Sequence, residues 1–198
     1  MNKRTPAHLV LKSAVLFLSL LCFYPLSATN PQKKEMKELN VKKVSLANVA
    51  VENIPALLDK EKVAFQSINT VNWKAFPYQP EVQFRIAHTD DAILVHYKVK
   101  EASVRAVATG DNGAVWEDAC VEFFSIPAGD GIYYNVECNC VGTLLIGAGG
   151  GRSNREHAPQ EVMDKVQRWS SLGRESFEER VGAVSYTHLR AHETELHL

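Results

Sequence analysis

No stretch of the 198 residues is long and apolar enough to cross a bilayer as a helix. The best candidate, Ala14 to Phe23, is about half of the roughly 20 residues that a span requires. An excess of one charge is missing too: 22 Lys+Arg stand against 23 Asp+Glu, with no basic stripe of the kind a nucleic-acid binder carries. Cysteine is scarce. Of four, Cys22 lies in the apolar run, which leaves Cys120, Cys138 and Cys140, an odd number that cannot close a disulfide framework. Cys138 and Cys140 are two apart on one strand, point the same way and are badly placed to pair with each other. Cys120 with either of them is the remaining pairing; the alternative is that all three are small buried hydrophobes. Signatures of cofactor sites are also lacking. There is no Cys-x-x-Cys-His, and the GAGGG run at 147–151 has Arg152 where a dinucleotide loop needs its last glycine and lacks the Lys-Ser/Thr of a phosphate loop.

What is present, 45% hydrophobic and 9% aromatic residues, is the composition of an ordinary folded domain. Both ends stand apart from it. Lys3, Arg4 and Lys12 precede the apolar run, and Leu26-Ser27-Ala28 offers the small residues a signal peptidase reads, so residues 1–28 are expected to be a secretory signal peptide. Leu21 before Cys22 argues against lipid attachment, because that processing site wants a small side chain there. Residues 29–40 read as a polar tether. Residues 184–194 (VSYTHLRAHET) match the translation of a transposase adapter used in preparing sequencing DNA, so 184–198 are expected to be a non-native tail and the domain, 41–183, to be cut short at its C-terminus. His188, His192 and His197 imitate a spaced metal-ligand set, but all three fall in or beyond that stretch.

Within the domain, Glu52 to Lys62 reads as a loop with one helical turn. Val82, Phe84 and Ile86, then Ile93, Val95, Tyr97 and Val99 after the Thr89-Asp90-Asp91 turn, alternate with polar neighbours and predict a hairpin with one wet face. A third strand carries Ala119, Val121 and Phe123 on one side and Cys120, Glu122 and Phe124 on the other. In a fourth, Tyr134, Val136, Cys138 and Cys140 make an apolar face while Asn135, Glu137 and Asn139 make a polar one, the period-two pattern of a half-buried strand. A short helix is expected near 159–166, with Pro159 in its first turn, and a further strand near Trp169. Short strands at near-regular spacing predict an all-β fold, a jelly-roll or immunoglobulin-like β-sandwich, incomplete at its C-terminus.

Three segments carry a resemblance: FRIAHTDDAILVHYKVKE at 84–101, the W-E-D-x-x-V-E-x-F block from Trp116, and Y-x-N-V-E-x-N-x-x-G-T from Tyr133 to Thr143. From about Trp73 through Arg152 the chain resembles the family 9 carbohydrate-binding modules, related to DOMON domains, and in particular exported members from Bacteroides-like bacteria. The resemblance implies non-catalytic binding of an oligo- or polysaccharide by an exported protein, periplasmic or extracellular, in support of glycan use. It further implies that Trp116 forms one aromatic wall of the sugar site and that Glu122 accepts sugar hydroxyls, with Asn135, Glu137, Asn139 and Arg152 nearby as ligand-binding residues. The family's second aromatic wall is expected beyond Ala183. No cofactor is implied, although relatives hold a structural calcium whose ligands this sequence does not locate. Two other readings compete. Glu122 and Glu137 are the residue types of a glycosidase pair, and Met163 with His8, His88, His96 or His157 supplies the axial-ligand types of a DOMON haem domain.

Overall fold

The computed structural model describes residues 38–45, 49–182 and 184–192. The expected signal peptide, most of the tether and His197 lie outside them. Among the described residues no helix is long and apolar enough to cross a membrane.

The described residues form twelve strands, arranged in three sheets, and two short α-helices. The largest contains β1 (Lys42–Lys43), β2 (Gln66–Ile68), β3 (Glu81–His88), β4 (Ala92–Lys100), β10 (Gln167–Ser170) and β12 (Val184–His192), in the order β1-β3-β4-β12-β10 with β2 also on β3. A second sheet, antiparallel throughout, runs β6 (Cys120–Ser125), β7 (Tyr133–Asn139), β8 (Leu144–Gly149) and β9 (Glu156–His157). The small third pairs β5 (Ser103–Ala106) with β11 (Phe177–Val181).

The two large sheets close on each other as the alternation predicts. Ile86, Val95, Tyr97 and Val99 from β3 and β4 meet Val136, Cys138, Leu144 and Ile146 from β7 and β8 in one buried cluster. The tight connection between β3 and β4 is held by Thr89, whose Oγ1 accepts from the backbone N–H groups of Asp91 (3.2 Å) and Ala92 (2.9 Å), a hydroxyl-capped turn that sets the hairpin register. The short helix α2 (Gln160–Met163) follows Pro159 and adds Met163 to the same core. Met163 is therefore a packing residue enclosed between the sheets rather than the axial ligand that a haem reading needs.

Two expectations are corrected here. Glu52 to Lys62 is more than a loop: a single 3₁₀ turn (Val51–Asn53) leads into α1 (Ile54–Lys60), with Pro55 in its first turn. The face of β3 and β4 expected to be wet is covered by that helix at Ala87 and Leu94, against which Ile54, Leu58 and Val44 bury, while Lys98 and Lys100 at its far end stay exposed. Arg85, on that same face, is buried as well. Its guanidinium donates to Asp59 Oδ1 (2.5 Å), the Pro55 carbonyl (3.0 Å) and His96 Nδ1 (3.0 Å), and lies 4.4 Å from the Phe65 ring centroid. A charge removed from water must be this fully partnered to be tolerated. Leu58→Ala is expected to destabilise the domain by about 3 kcal/mol, the range for a large-to-small change at a filled site. A urea midpoint equal to that of the wild type would show that the helix adds nothing to the core.

Residues 184–192, read from sequence as lying outside the domain, run as β12 between β4 and β10, in register from Val184 opposite Lys100 to His192 opposite Ala92. Such pairing is made by main-chain N–H and C=O groups, which every extended segment without proline offers alike.

Candidate functional site

The β6–β7 ladder sets the geometry. Cys120 stands opposite Asn139, Glu122 opposite Glu137, and Phe124 opposite Asn135. Val121 and Phe123 turn inward to the core, so alternation sends Cys120, Glu122 and Phe124 to the outer face, together with Asn135, Glu137 and Asn139 from β7. On β8, Gly147 stands opposite Asn135. A Cβ there would lie 2.7 Å from Asn135 Oδ1, so only glycine leaves room for the amide.

Trp116 sits on a 3₁₀ turn, Val115–Glu117, immediately before β6. Val115 is fully buried and anchors the turn, while the Trp116 indole remains 56% exposed. A side chain with that much apolar surface left in water gains most by covering it with a partner.

The polar face of β7 is not half-buried as the sequence pattern predicts. Asn135 and Asn139 are 0% exposed and Glu137 is 5% exposed. Their tasks differ. Asn139 Oδ1 accepts from the N–H groups of Val141 (3.2 Å) and Thr143 (2.8 Å), and its Nδ2 donates to Asp118 Oδ2 (2.9 Å). The Asp118 carboxylate also accepts from the N–H groups of Val107 (2.9 Å) and Ala108 (3.0 Å). With amide oxygen and nitrogen both committed, Asn139 is a latch that ties the β7–β8 turn to the Trp116 turn. Asn135 Nδ2 donates to Glu137 Oε1 (2.6 Å), while Asn135 Oδ1 and Glu137 Oε2 have no hydrogen-bond partner among the described residues. Asn135 is thus a residue that orients Glu137 from below.

Glu122 is exposed. Partial burial raises its carboxyl above the usual carboxylate range, and the neighbouring Glu137 raises it further, while Arg152 and Arg155 pull the other way. Arg155 Nη1 stands 3.8 Å from Glu137 Oε1, with its guanidinium 5.8 Å from the Tyr133 ring centroid. Arg152 is exposed on the same loop, close enough to act on Glu122 electrostatically. The ligating atoms of Cys120, Glu122 and Glu137 all lie within 4.8 Å of one another.

All three cysteines of the domain are free. The open pairing of Cys120 with Cys138 or Cys140 is not made, and register explains why for the first: Cys138 stands opposite Val121 and packs in the core, whereas Cys120 belongs to the outer face. Burial pushes the Cys138 and Cys140 thiols up to about 12, which leaves both protonated and inert near neutral pH.

Glu122 and Glu137 thus stand opposite each other on one sheet face, with Asn135 two residues from Glu137, Arg152 acting on Glu122 from the adjoining loop, and Trp116 on the turn that leads into β6. Phe124, Tyr133, Cys120 and Arg155 belong to the same face and were not singled out from the sequence. Cys120 and Phe124 were legible, since they alternate in phase with Glu122. Arg155 was not, because only the fold of the glycine-rich loop brings it to Glu137.

Comparison with known proteins identifies the family. The sequence model of carbohydrate-binding family 9 matches residues 52–189. A Bacteroides uniformis protein whose structure is named for carbohydrate binding is similar at 56% identity and a TM-score of 0.76, over 79% of this chain and 72% of that one. A family 9 carbohydrate-binding module from Caldicellulosiruptor kristjanssonii, solved in complex with glucose, is similar at 10% identity and a TM-score of 0.48, over 77% of this chain and 66% of that one. No curated protein matches. With a β-sandwich built as this one is, and most of its length matched, the chain belongs to carbohydrate-binding family 9.

Proposed function

We propose that the chain binds carbohydrate without cleaving it, as an exported periplasmic or extracellular protein, and that the sugar stacks on Trp116 with its hydroxyls toward Glu122 and Arg152. The observation that carries this reading is the half-exposed indole of Trp116, on the turn that leads directly into the strand bearing Glu122. A pyranose presents one face of C–H groups and a rim of hydroxyls. An indole covers the first, and charged acceptors and donors at fixed positions satisfy the second. Glu122 serves as acceptor and Arg152 as donor; Glu137, almost fully buried, offers a sugar little surface. The bound sugar is an oligo- or polysaccharide, of which the site grips one unit.

The opposed pair Glu122 and Glu137 keeps a second reading testable, because paired carboxylates perform glycoside hydrolysis. Such a pair must flank open space that admits the glycosidic bond. Here one member lies under the surface with an oxygen committed to Asn135, an arrangement that favours binding over cleavage. Isothermal titration of the purified chain against oligosaccharides with and without a free reducing end tests the proposal: saturable binding is expected, with no product released. Absence of binding to every sugar would refute it. Hydrolysis that is abolished by Glu122→Gln or Glu137→Gln would replace it with the enzyme reading.

A further inference from the structure

We propose that Cys120, Glu122 and Glu137 form a binding site for a divalent transition cation of the zinc class. The three converge from two paired strands, with ligating atoms within 4.8 Å of one another. A tetrahedral zinc centre, with bonds of about 2.3 Å to sulfur and about 2.0–2.2 Å to carboxylate oxygen, holds its ligand atoms roughly 3.3–3.7 Å apart. Closing that difference takes side-chain rotation within the group, for which the exposed Glu122 has the most room.

A second observation points to a ligand. Glu137 is 5% exposed, yet its Oε2 has no hydrogen-bond partner among the described residues. A carboxylate oxygen taken from water and left unpaired is costly, and such an atom in a folded protein calls for a proton, a water or an ion. The other oxygen, Oε1, already receives Asn135 Nδ2 at 2.6 Å and faces Arg155 at 3.8 Å. This is how an outer residue orients a metal-binding carboxylate, and it leaves Oε2 as the oxygen that faces a cation. Arg152 and Arg155 supply positive charge to the same face and oppose a cation there, and burial together with Glu122 raises the Cys120 thiol, so the incoming cation must displace the thiol proton as it binds.

The donor set selects the ion. Calcium and magnesium take oxygen ligands, whereas one sulfur with two carboxylates suits zinc and its neighbours in the first transition row. With three protein ligands, a fourth position stays open on the solvent side, where Glu122 lies. Glu122 belongs to both this site and the proposed sugar site, but the cation site does not depend on the sugar reading. Its test involves no sugar, and sugar titration of the metal-stripped chain reports on the other reading separately.

Cobalt(II) added to the purified full chain is expected to produce the near-ultraviolet charge-transfer band of a thiolate–cobalt bond, and dialysis against zinc should leave about one bound equivalent. Cys120→Ser should abolish the band, and Glu137→Gln should lower metal affinity at least roughly tenfold, as loss of a ligand does. Cys140→Ser, outside the group, should leave both unchanged. No band in the wild-type chain would overturn the proposal without recourse to any variant. So would a band that survives Cys120→Ser, or zinc that stays bound with no sulfur signature, which would place the metal on histidines such as His188 and His192. If Cys120→Ser fails to fold, unchanged cobalt and zinc affinity in Glu137→Gln would be enough to reject the site.

Discussion

Replacing Trp116 by alanine is expected to weaken carbohydrate binding by about 2 kcal/mol, roughly thirtyfold in Kd, the loss typical of an aromatic anchor at the centre of a contact. The indole is 56% exposed, so its removal opens no cavity and the melting temperature should stay within the scatter of a surface substitution. Glu122→Gln keeps the shape of the side chain and one acceptor oxygen while losing the charge. Its effect should be smaller, about 1 kcal/mol or roughly fivefold. The rank order is the content of the prediction, and titration of the metal-stripped chain against the same sugar measures both. Binding by Trp116→Ala at wild-type strength would show that the sugar sits elsewhere on the domain.

Asn139→Ala should do the opposite, harming the fold and not the contact with sugar. The substitution strips the acceptor from the buried N–H groups of Val141 and Thr143 and a donor from Asp118. Buried donors left without acceptors cost about 1–3 kcal/mol each. A total of about 3 kcal/mol would lower Tm by roughly 6–12 °C in a domain of this size. Asn139→Asp separates the two halves of the latch: it preserves the acceptor for Val141 and Thr143 but sets a second carboxylate against Asp118, and it should also destabilise. Thermal melting and sugar titration on the same preparations decide the matter. If Asn139→Ala melts like the wild type and loses sugar, Asn139 touches the ligand and the latch is wrongly assigned.

Much of the strand plan needed nothing beyond the sequence. Alternation in 82–99 and 119–140 located the strands and sorted inward from outward residues, because a side chain's face on a strand follows from its position in the count of two. The same count put Glu122 on the outer face. Alternation could not say what covers a face. Leu94, Arg85 and His96 share a side of β3 and β4 that reads as wet, and it is α1, more than thirty residues earlier in the chain than His96, that covers it. Asn135, Glu137 and Asn139 read as an open polar row, a natural set of sugar ligands. In the folded chain the Asp118 turn closes over Asn139, and the loop bearing Arg155 reaches Glu137. Period-two polarity records which side of a strand can bear polar groups, whether those groups meet water or buried partners. The choice between a latch, an orienting amide and a ligand is made by segments that arrive from elsewhere in the sequence, and so only the tertiary structure could make it.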